Sequence, residues 1–137
     1  MRAWPAPSLP RADRPGPAVR LFNTASGAVE ETRPESTARL YVCGITPYDA
    51  THLGHAFTYT NADVLIRYLE YLGFTVRYVQ NVTDIDDDIL RRAKKEGGDW
   101  LEVGNRWTRH FIEDMIRLNV RPPDHYPRAT EVIPEII

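Results

Sequence analysis

An α/β fold, with a parallel sheet flanked by helices, is what three features of this sequence predict. The nearly continuous apolar run Leu40-Tyr41-Val42-Cys43, closed by Gly44, has the pattern of a strand buried on both faces. Apolar residues at helical spacing follow it, and then Phe74 to Val82, rich in β-branched and aromatic side chains. Strand, loop, helix and strand within roughly 45 residues is the size of a right-handed crossover unit.

Residues 1–20 hold five of the 11 prolines (Pro5, Pro7, Pro10, Pro15 and Pro17) without an apolar period, and are expected to form an extended arm and not a packed element. Residues 21–137 read as one domain. Leu21-Phe22 and Ala28-Val29 flank a Ser26-Gly27 turn, as in a small hairpin. The first strong strand is Ala38 to Cys43, and it stops at Gly44. Ala62, Leu65, Ile66, Leu69 and Leu72 place a helix over 56–72, with Gly73 as its left-handed cap. A second helix is expected over Asp87 to Glu96, ended by Gly97-Gly98. A third starts at Asp99, with Glu102 completing a capping box and Trp100, Val103, Trp107, Phe111, Met115 and Leu118 as its apolar stripe. Arg121 to Pro127 carries three prolines and reads as loop, and Thr130 reads as the cap of one more helix. There is no internal repeat, and the periodic apolar segment that reaches Ile137 is expected to continue in a longer polypeptide.

A chain of 137 residues, 42% hydrophobic and 26% charged, can bury a real core and has ordinary globular composition. The net charge of -2 gives the chain as a whole no electrostatic reason to bind nucleic acid or a membrane, although 15 of its 17 basic residues are arginine. The single cysteine excludes an intramolecular disulfide and fits a reducing compartment. With neither a long apolar run nor a secretion-signal core, the expected location is the cytoplasm, away from membranes.

The stretch from Cys43 to His55 joins the carboxyl end of a strand to the start of a helix, which is where open parallel sheets bind ligands. A helix N-terminus offers free amides and a positive dipole to phosphate. His52 and His55, three apart, add imidazole donors there, and Gly54 has no Cβ to hold a nucleotide off the backbone. Together they suit stabilisation of a charged transition state. In isolation such a pair is more often one capping and one solvated histidine; the strand–loop–helix setting favours the ligand reading. Cys43, at the strand's end, is either an inert thiol or a metal ligand or nucleophile. A closed zinc site needs about four ligands, so any zinc would draw the others from elsewhere.

Asn81 to Asp88 follows the next strand at the same end of the sheet. Asp84, Asp86 and Asp88 imitate the start of a calcium loop, but Ile89 stands where glycine is required and Lys95 where the bidentate glutamate belongs. The later aspartates suit a helix N-terminus instead, and Asn81 and Thr83 are better placed to meet a ligand. The Trp100, Trp107 and Phe111 stripe reads as a core face and not as a base-stacking platform.

These blocks in order, Tyr41-Val42-Cys43-Gly44-Ile45-Thr46, then His52-Leu53-Gly54-His55, then Tyr78 to Asp87, with Pro127 to Glu131 as a looser continuation, resemble the class I aminoacyl-tRNA synthetase catalytic domain in its cysteine-activating branch. That branch holds cysteinyl-tRNA synthetases and the mycothiol-biosynthesis ligases that join cysteine to glucosaminyl-inositol. The resemblance covers roughly residues 20–137 and implies the N-terminal part of a Rossmann-like (HUP-type) catalytic domain. It implies an ATP-dependent ligase that forms cysteinyl-adenylate, with magnesium accompanying ATP. His52 and His55 match the histidines of the HIGH signature, which steady the ATP phosphates. Gly44, Ile45, Thr46, Gly54, Thr58, Asn81, Val82 and Thr83 match positions around ATP and the adenylate. Cys43 matches the first ligand of a zinc ion whose preference for thiolate separates cysteine from serine.

Two departures qualify the match. The remaining zinc ligands and the lysine-rich KMSKS loop have no counterpart here, because Lys94 and Lys95 are the only lysines and fall in a helix; the fragment alone is expected to be inactive. Thr46 to His52 and Trp4 to Pro7 look more like the mycothiol ligases, whereas Asp63 to Leu69 and Asp86 to Leu90 look more like the tRNA synthetases. The net charge and scattered arginines favour a small aminosugar acceptor, with tRNA as the alternative. A nucleotidyltransferase and a non-catalytic fragment are the further readings.

Overall fold

The computed structural model describes residues 1, 3–8, 16–32 and 34–137; the Pro10 and Pro15 part of the expected arm lies outside them. The elements run β1 (Arg20–Asn23), β2 (Ala28–Glu31), β3 (Thr37–Ile45), α1 (Leu53–Tyr71), β4 (Thr75–Val82), α2 (Asp87–Glu96), α3 (Trp100–Arg117) and α4 (Ala129–Ile136). β1 and β2 form the expected antiparallel hairpin. β3 and β4 pair in parallel, in step from Thr37–Thr75 to Val42–Gln80 and again at Ile45–Val82. With α1 between them they make the crossover unit that the spacing predicts.

β3 departs from expectation in two ways. It runs on through Gly44 to Ile45, with a slip in register after Val42. A Cβ on Gly44 would lie 1.5 Å from the carbonyl oxygen of Asn81, so the chains approach there to a distance that only glycine permits. Nor is β3 buried on both faces. Ala38 and Ile45 are buried and Leu40 and Val42 half-buried, while Arg39, Tyr41 and Cys43 are exposed, Tyr41 by 65%. The helices cover one face, and the pleat turns every second residue away from them.

The loop expected over Arg121–Pro127 also joins the sheet. His125 and Arg128 bridge to Val79 and Val82 in parallel sense, and Gln80 and Val82 donate their amides to the carbonyls of His125 (3.1 Å) and Pro127 (2.9 Å). Proline is tolerated there because it sits on an edge, where its missing N–H faces no partner strand. Beyond it Thr130 is not the cap of α4. It lies inside the helix, and its amide (3.0 Å) and hydroxyl (2.6 Å) both donate to the carboxylate of Asp84, only 1% exposed.

α1 starts at Leu53, ahead of the expected Ala56, and ends as expected with Gly73 at positive φ. It buries Tyr59, Ile66 and Leu69. α2 has the expected bounds, capped by Asp86 and closed by Gly97 at φ 70°. α3, capped by Asp99, buries Val103, Phe111 and Met115, half-buries Trp100 and Trp107, and leaves Leu118 exposed. The N-terminal segment has no helix or strand among its described residues before Arg20, yet it is packed at Trp4. That side chain is 5% exposed, sits edge-on to Phe111 and Tyr126, and donates its indole N–H to the Val120 carbonyl at 2.8 Å. One large amphipathic ring is enough to anchor a strand-less segment.

Gly44 and Gly98 make a controlled comparison. Gly44→Ala is expected to cost about 1–3 kcal/mol or more in urea unfolding, because β3 and β4 must move apart. Gly98→Ala, which meets nothing within 4 Å, is expected to stay within about 0.5 kcal/mol. Equal losses from both would refute the close-approach account.

Candidate active site

Two loops meet at the carboxyl end of the parallel pair, 46–52 after β3 and 83–86 after β4. Beyond the register slip they are tied by the Thr83 amide, which donates to the Ile45 carbonyl at 2.9 Å. The residues that the sequence places together there therefore lie at adjacent strand ends.

At the start of α1 the two histidines act as a reciprocal cap. His52 is the N-cap residue, and its Nδ1 accepts the Gly54 amide at 3.1 Å. His55 Nδ1 accepts the His52 amide at 3.2 Å. The rings stack with centroids 4.0 Å apart. A nitrogen that accepts an N–H carries no proton, so in each neutral ring the proton is on Nε2, which is left as a donor. Burial, and secondarily the electrostatic repulsion between the His52 and His55 imidazoles if both took up a proton, hold His55 below its ordinary pKa. Gly54 is required for a reason that the sequence does not reveal: a Cβ there would stand 2.8 Å from the His52 ring.

The other candidates are placed unequally. Cys43 is exposed, and its carbonyl accepts the Tyr59 hydroxyl at 3.1 Å; burial raises the Tyr59 phenol pKa far above its ordinary value. Thr46 and Thr83 are half-buried at the sheet end, and the exposed Thr58 donates its hydroxyl to the Gly54 carbonyl at 3.0 Å. The side chains of Ile45 and Val82 are in the core with Tyr59 and Phe111, so at the sheet end these residues present their backbones. Among the described residues no three His, Cys, Asp or Glu side chains converge on a point that could hold a metal ion. This chain alone offers Cys43 as a single thiol, which does not make a zinc site. Asp86 to Asp88 sit at the N-terminus of α2, as the helix reading has it. Trp107 lies between α2 and α3 under the guanidinium groups of Arg92 (5.5 Å) and Arg106 (5.3 Å), which makes it structural.

Sequence reasoning missed the side chains that hold the 46–52 loop. Asp49 pairs with Arg92 of α2 at 3.0 Å, and Thr51 hydrogen-bonds Asp114 of α3. Their partners are 43 and 63 residues away in the chain, beyond any periodic signal. A cavity of about 470 Å³ lies between the start of α1 and the end of α3, lined by Thr51, His52, Leu53, Ala56, Asp114 and Met115 among others. Neither Cys43 nor Thr83 lines it, whereas His52 does.

Residues 29–137 match the family model for the tRNA synthetases class I (C) catalytic domain. Over its whole length the chain is 55% identical to the L-cysteine:1D-myo-inositol 2-amino-2-deoxy-alpha-D-glucopyranoside ligase of Geodermatophilus obscurus, and 50% identical to that of Mycolicibacterium smegmatis. It covers 32% and 33% of those proteins, so the chain spans about a third of the length of the curated relatives it matches. Among solved structures, Mycobacterium tuberculosis methionyl-tRNA synthetase in complex with methionyl-adenylate aligns with a TM-score of 0.62 at 23% identity, over 68% of this chain and 18% of that one. That likeness shows a shared fold. No helix among the described residues is long and apolar enough to cross a membrane.

The cap geometry sets a pH dependence. Because folding lowers the His55 pKa below 6.5, its contribution to stability is complete above that value and is lost as pH falls through the folded pKa. Protonation at Nδ1 also removes an acceptor from the helix start. The His55 Cε1–H resonance is expected to titrate with a midpoint below 6.5, and a midpoint at or above it would contradict the neutral, capping imidazole.

Proposed function

Because the chain belongs to the tRNA synthetases class I (C) catalytic-domain family, we propose that it forms the nucleotide-activating part of an ATP-dependent ligase that joins cysteine to the amine of glucosaminyl-inositol. The observation that carries this reading is the stacked histidine pair. Both Nδ1 atoms are engaged by backbone amides, so both Nε2–H groups are fixed as donors at the N-terminus of α1, beside its positive dipole.

In the proposed reaction the cysteine carboxylate attacks the α-phosphorus of ATP. The bond from that phosphorus to the bridging oxygen breaks, and pyrophosphate leaves with the electron pair. The Nε2–H donors of His52 and His55 steady the phosphate oxygens as charge builds on them. The backbone of Gly44 to Thr46 and of Val82, with the hydroxyls of Thr58 and Thr83, lines the nucleotide. Magnesium accompanies ATP as part of the substrate. In the second step the acceptor amine attacks the carbonyl carbon of cysteinyl-adenylate, AMP leaves, and the amine loses a proton. Most of the rate gain comes from positioning and electrostatics. The zinc reading of Cys43 requires donors from outside this chain, and neither step depends on it here.

The aminosugar acceptor is supported by the activity named for the relatives, and by charge. Arg67, Arg91, Arg92 and Arg106 each pair with a carboxylate, which leaves them poorly suited to bind a run of phosphates. Charging of tRNA is the second reading, favoured by the name of the family. A cytoplasmic setting suits either.

A chimeric ligase, in which this chain replaces the matching third of the Geodermatophilus obscurus protein, provides the test. The parent chimera is expected to catalyse cysteine-dependent ATP–pyrophosphate exchange and to transfer labelled cysteine to glucosaminyl-inositol. Salt-sensitive charging of tRNA with no aminosugar product would overturn the choice of acceptor. His52→Asn retains an acceptor for the Gly54 amide, and asparagine is a favoured N-cap, so the unfolding midpoint should hold or rise. Exchange should nevertheless fall about 10²-fold, the usual cost of one transition-state donor. Unchanged exchange would make the histidines purely structural.

A further inference from the structure

We propose that Asn81 is a positioning residue, whose carboxamide aims the hydroxyl of Thr83 at substrate and holds the irregular end of β3 without itself touching substrate. This rests on the ligase reading above. The sequence marks Asn81 as a ligand contact, but its amide group is already engaged on several sides. Oδ1 accepts the Gly44 amide at 2.8 Å and the Tyr41 hydroxyl at 2.9 Å, which occupies both of its lone pairs. Nδ2 donates to Thr83 Oγ1 at 3.2 Å. The orientation is determined by this network, because turning the amide over would set an N–H donor against the Gly44 N–H.

Each contact has a consequence at the strand ends. The Gly44 amide falls where the ladder slips between Val42 and Ile45, and Asn81 supplies the acceptor that the irregular ladder withholds. That bond fixes the backbone next to Cys43, the one thiol at the sheet end. Thr83 receives a hydrogen bond from Asn81, so its own proton is free to be donated outward. Thr83 is half-buried, and its amide is already tied to Ile45, so the residue has little freedom to choose another direction. The exposed Tyr41 completes the brace from the open face of the sheet.

Aspartate at this position discriminates the proposal from a contact role. Asn81→Asp still accepts from Gly44 and Tyr41, but it presents an acceptor to Thr83, which must then turn its proton inward. Asn81→Ala removes the brace altogether. Amide hydrogen exchange on this chain tests the geometry without any activity. Gly44 should exchange about tenfold faster or more in Asn81→Ala, and within about threefold of the parent in Asn81→Asp. Unchanged Gly44 exchange in Asn81→Ala would overturn the proposal. In the chimeric ligase, Asn81→Asp should lower kcat for ATP–pyrophosphate exchange about tenfold with a smaller change in KM, and the deficit should shrink as pH is lowered toward the carboxyl range, where a protonated aspartate donates to Thr83 again.

A double-mutant cycle completes the test: in a Thr83→Val background, Asn81→Asp should cost less than about threefold. The same tenfold loss in both backgrounds would mean that Asn81 contacts substrate itself, and would overturn the proposal. A parent chimera without exchange activity would defeat the ligase reading instead, and Gly44 exchange would still decide whether Asn81 is the brace.

Discussion

The arrangement at the carboxyl end of the sheet depends on how closely β3 approaches β4 at Gly44. With no side chain there, the Gly44 backbone lies against the carbonyl of Asn81, at a distance that any Cβ would forbid. The approach displaces the ladder, and a side-chain amide takes over the orphaned backbone N–H. From that point the two strands end together. Cys43 emerges on the open face, Ile45 turns into the core, and the loops that follow begin side by side, tied through Thr83. A residue with a side chain at 44 would separate the elements that have to cooperate.

A second economy operates at the start of α1. A helix needs acceptors for its first amides, and serine, threonine, aspartate or asparagine usually supplies them. Here two imidazoles do so, each through one ring nitrogen, which fixes ring orientation and tautomer and leaves the other nitrogen as a directed donor. The proposed charge stabilisation would use the opposite end of the same side chains that cap the helix. Gly54 belongs to the same device, since it makes room for the His52 ring over the first turn. The loop that delivers His52 is held from outside by Asp49 on Arg92 and by Thr51 on Asp114, so α2 and α3 contribute to the site without entering it.

The remaining chain closes this frame from a distance. Trp4 is inserted beside Phe111 and Tyr126 and is hydrogen-bonded to Val120. The segment around His125–Arg128 lies along the outer edge of β4, and α4 begins where Asp84 takes both the amide and the hydroxyl of Thr130. Asp84 directly follows Thr83, so the buried carboxylate fastens this outer edge to the end of the strand that carries the candidate site. On the opposite face of the sheet Arg39, Tyr41 and Cys43 are exposed.

Periodicity and local chemistry were legible in the sequence by itself. The parallel unit, α2 with its aspartate start and glycine stop, the aromatic face of α3, and the location of His52, His55, Cys43 and Thr83 at one end of the sheet all follow from spacing within a few turns or one strand. The three ordered blocks sufficed to identify the family. What only the tertiary structure decided depends on partners far apart in the chain. Gly44 reads as a terminator until Asn81 is placed against it, and Gly54 as room for a nucleotide until the His52 ring folds over it. Ile45 and Val82 are matched to the site by resemblance, and their side chains turn into the core, Ile45 because the slip in β3 shifts its alternation and Val82 on the regular alternation of β4. Asp84 reads as one acid among several, and Trp4 as part of an arm, until Thr130 and Val120 arrive from 46 and 116 residues away. Local sequence specifies which conformations a segment prefers, but the pairing of buried polar groups and the exclusion of a single Cβ are settled only when distant segments meet.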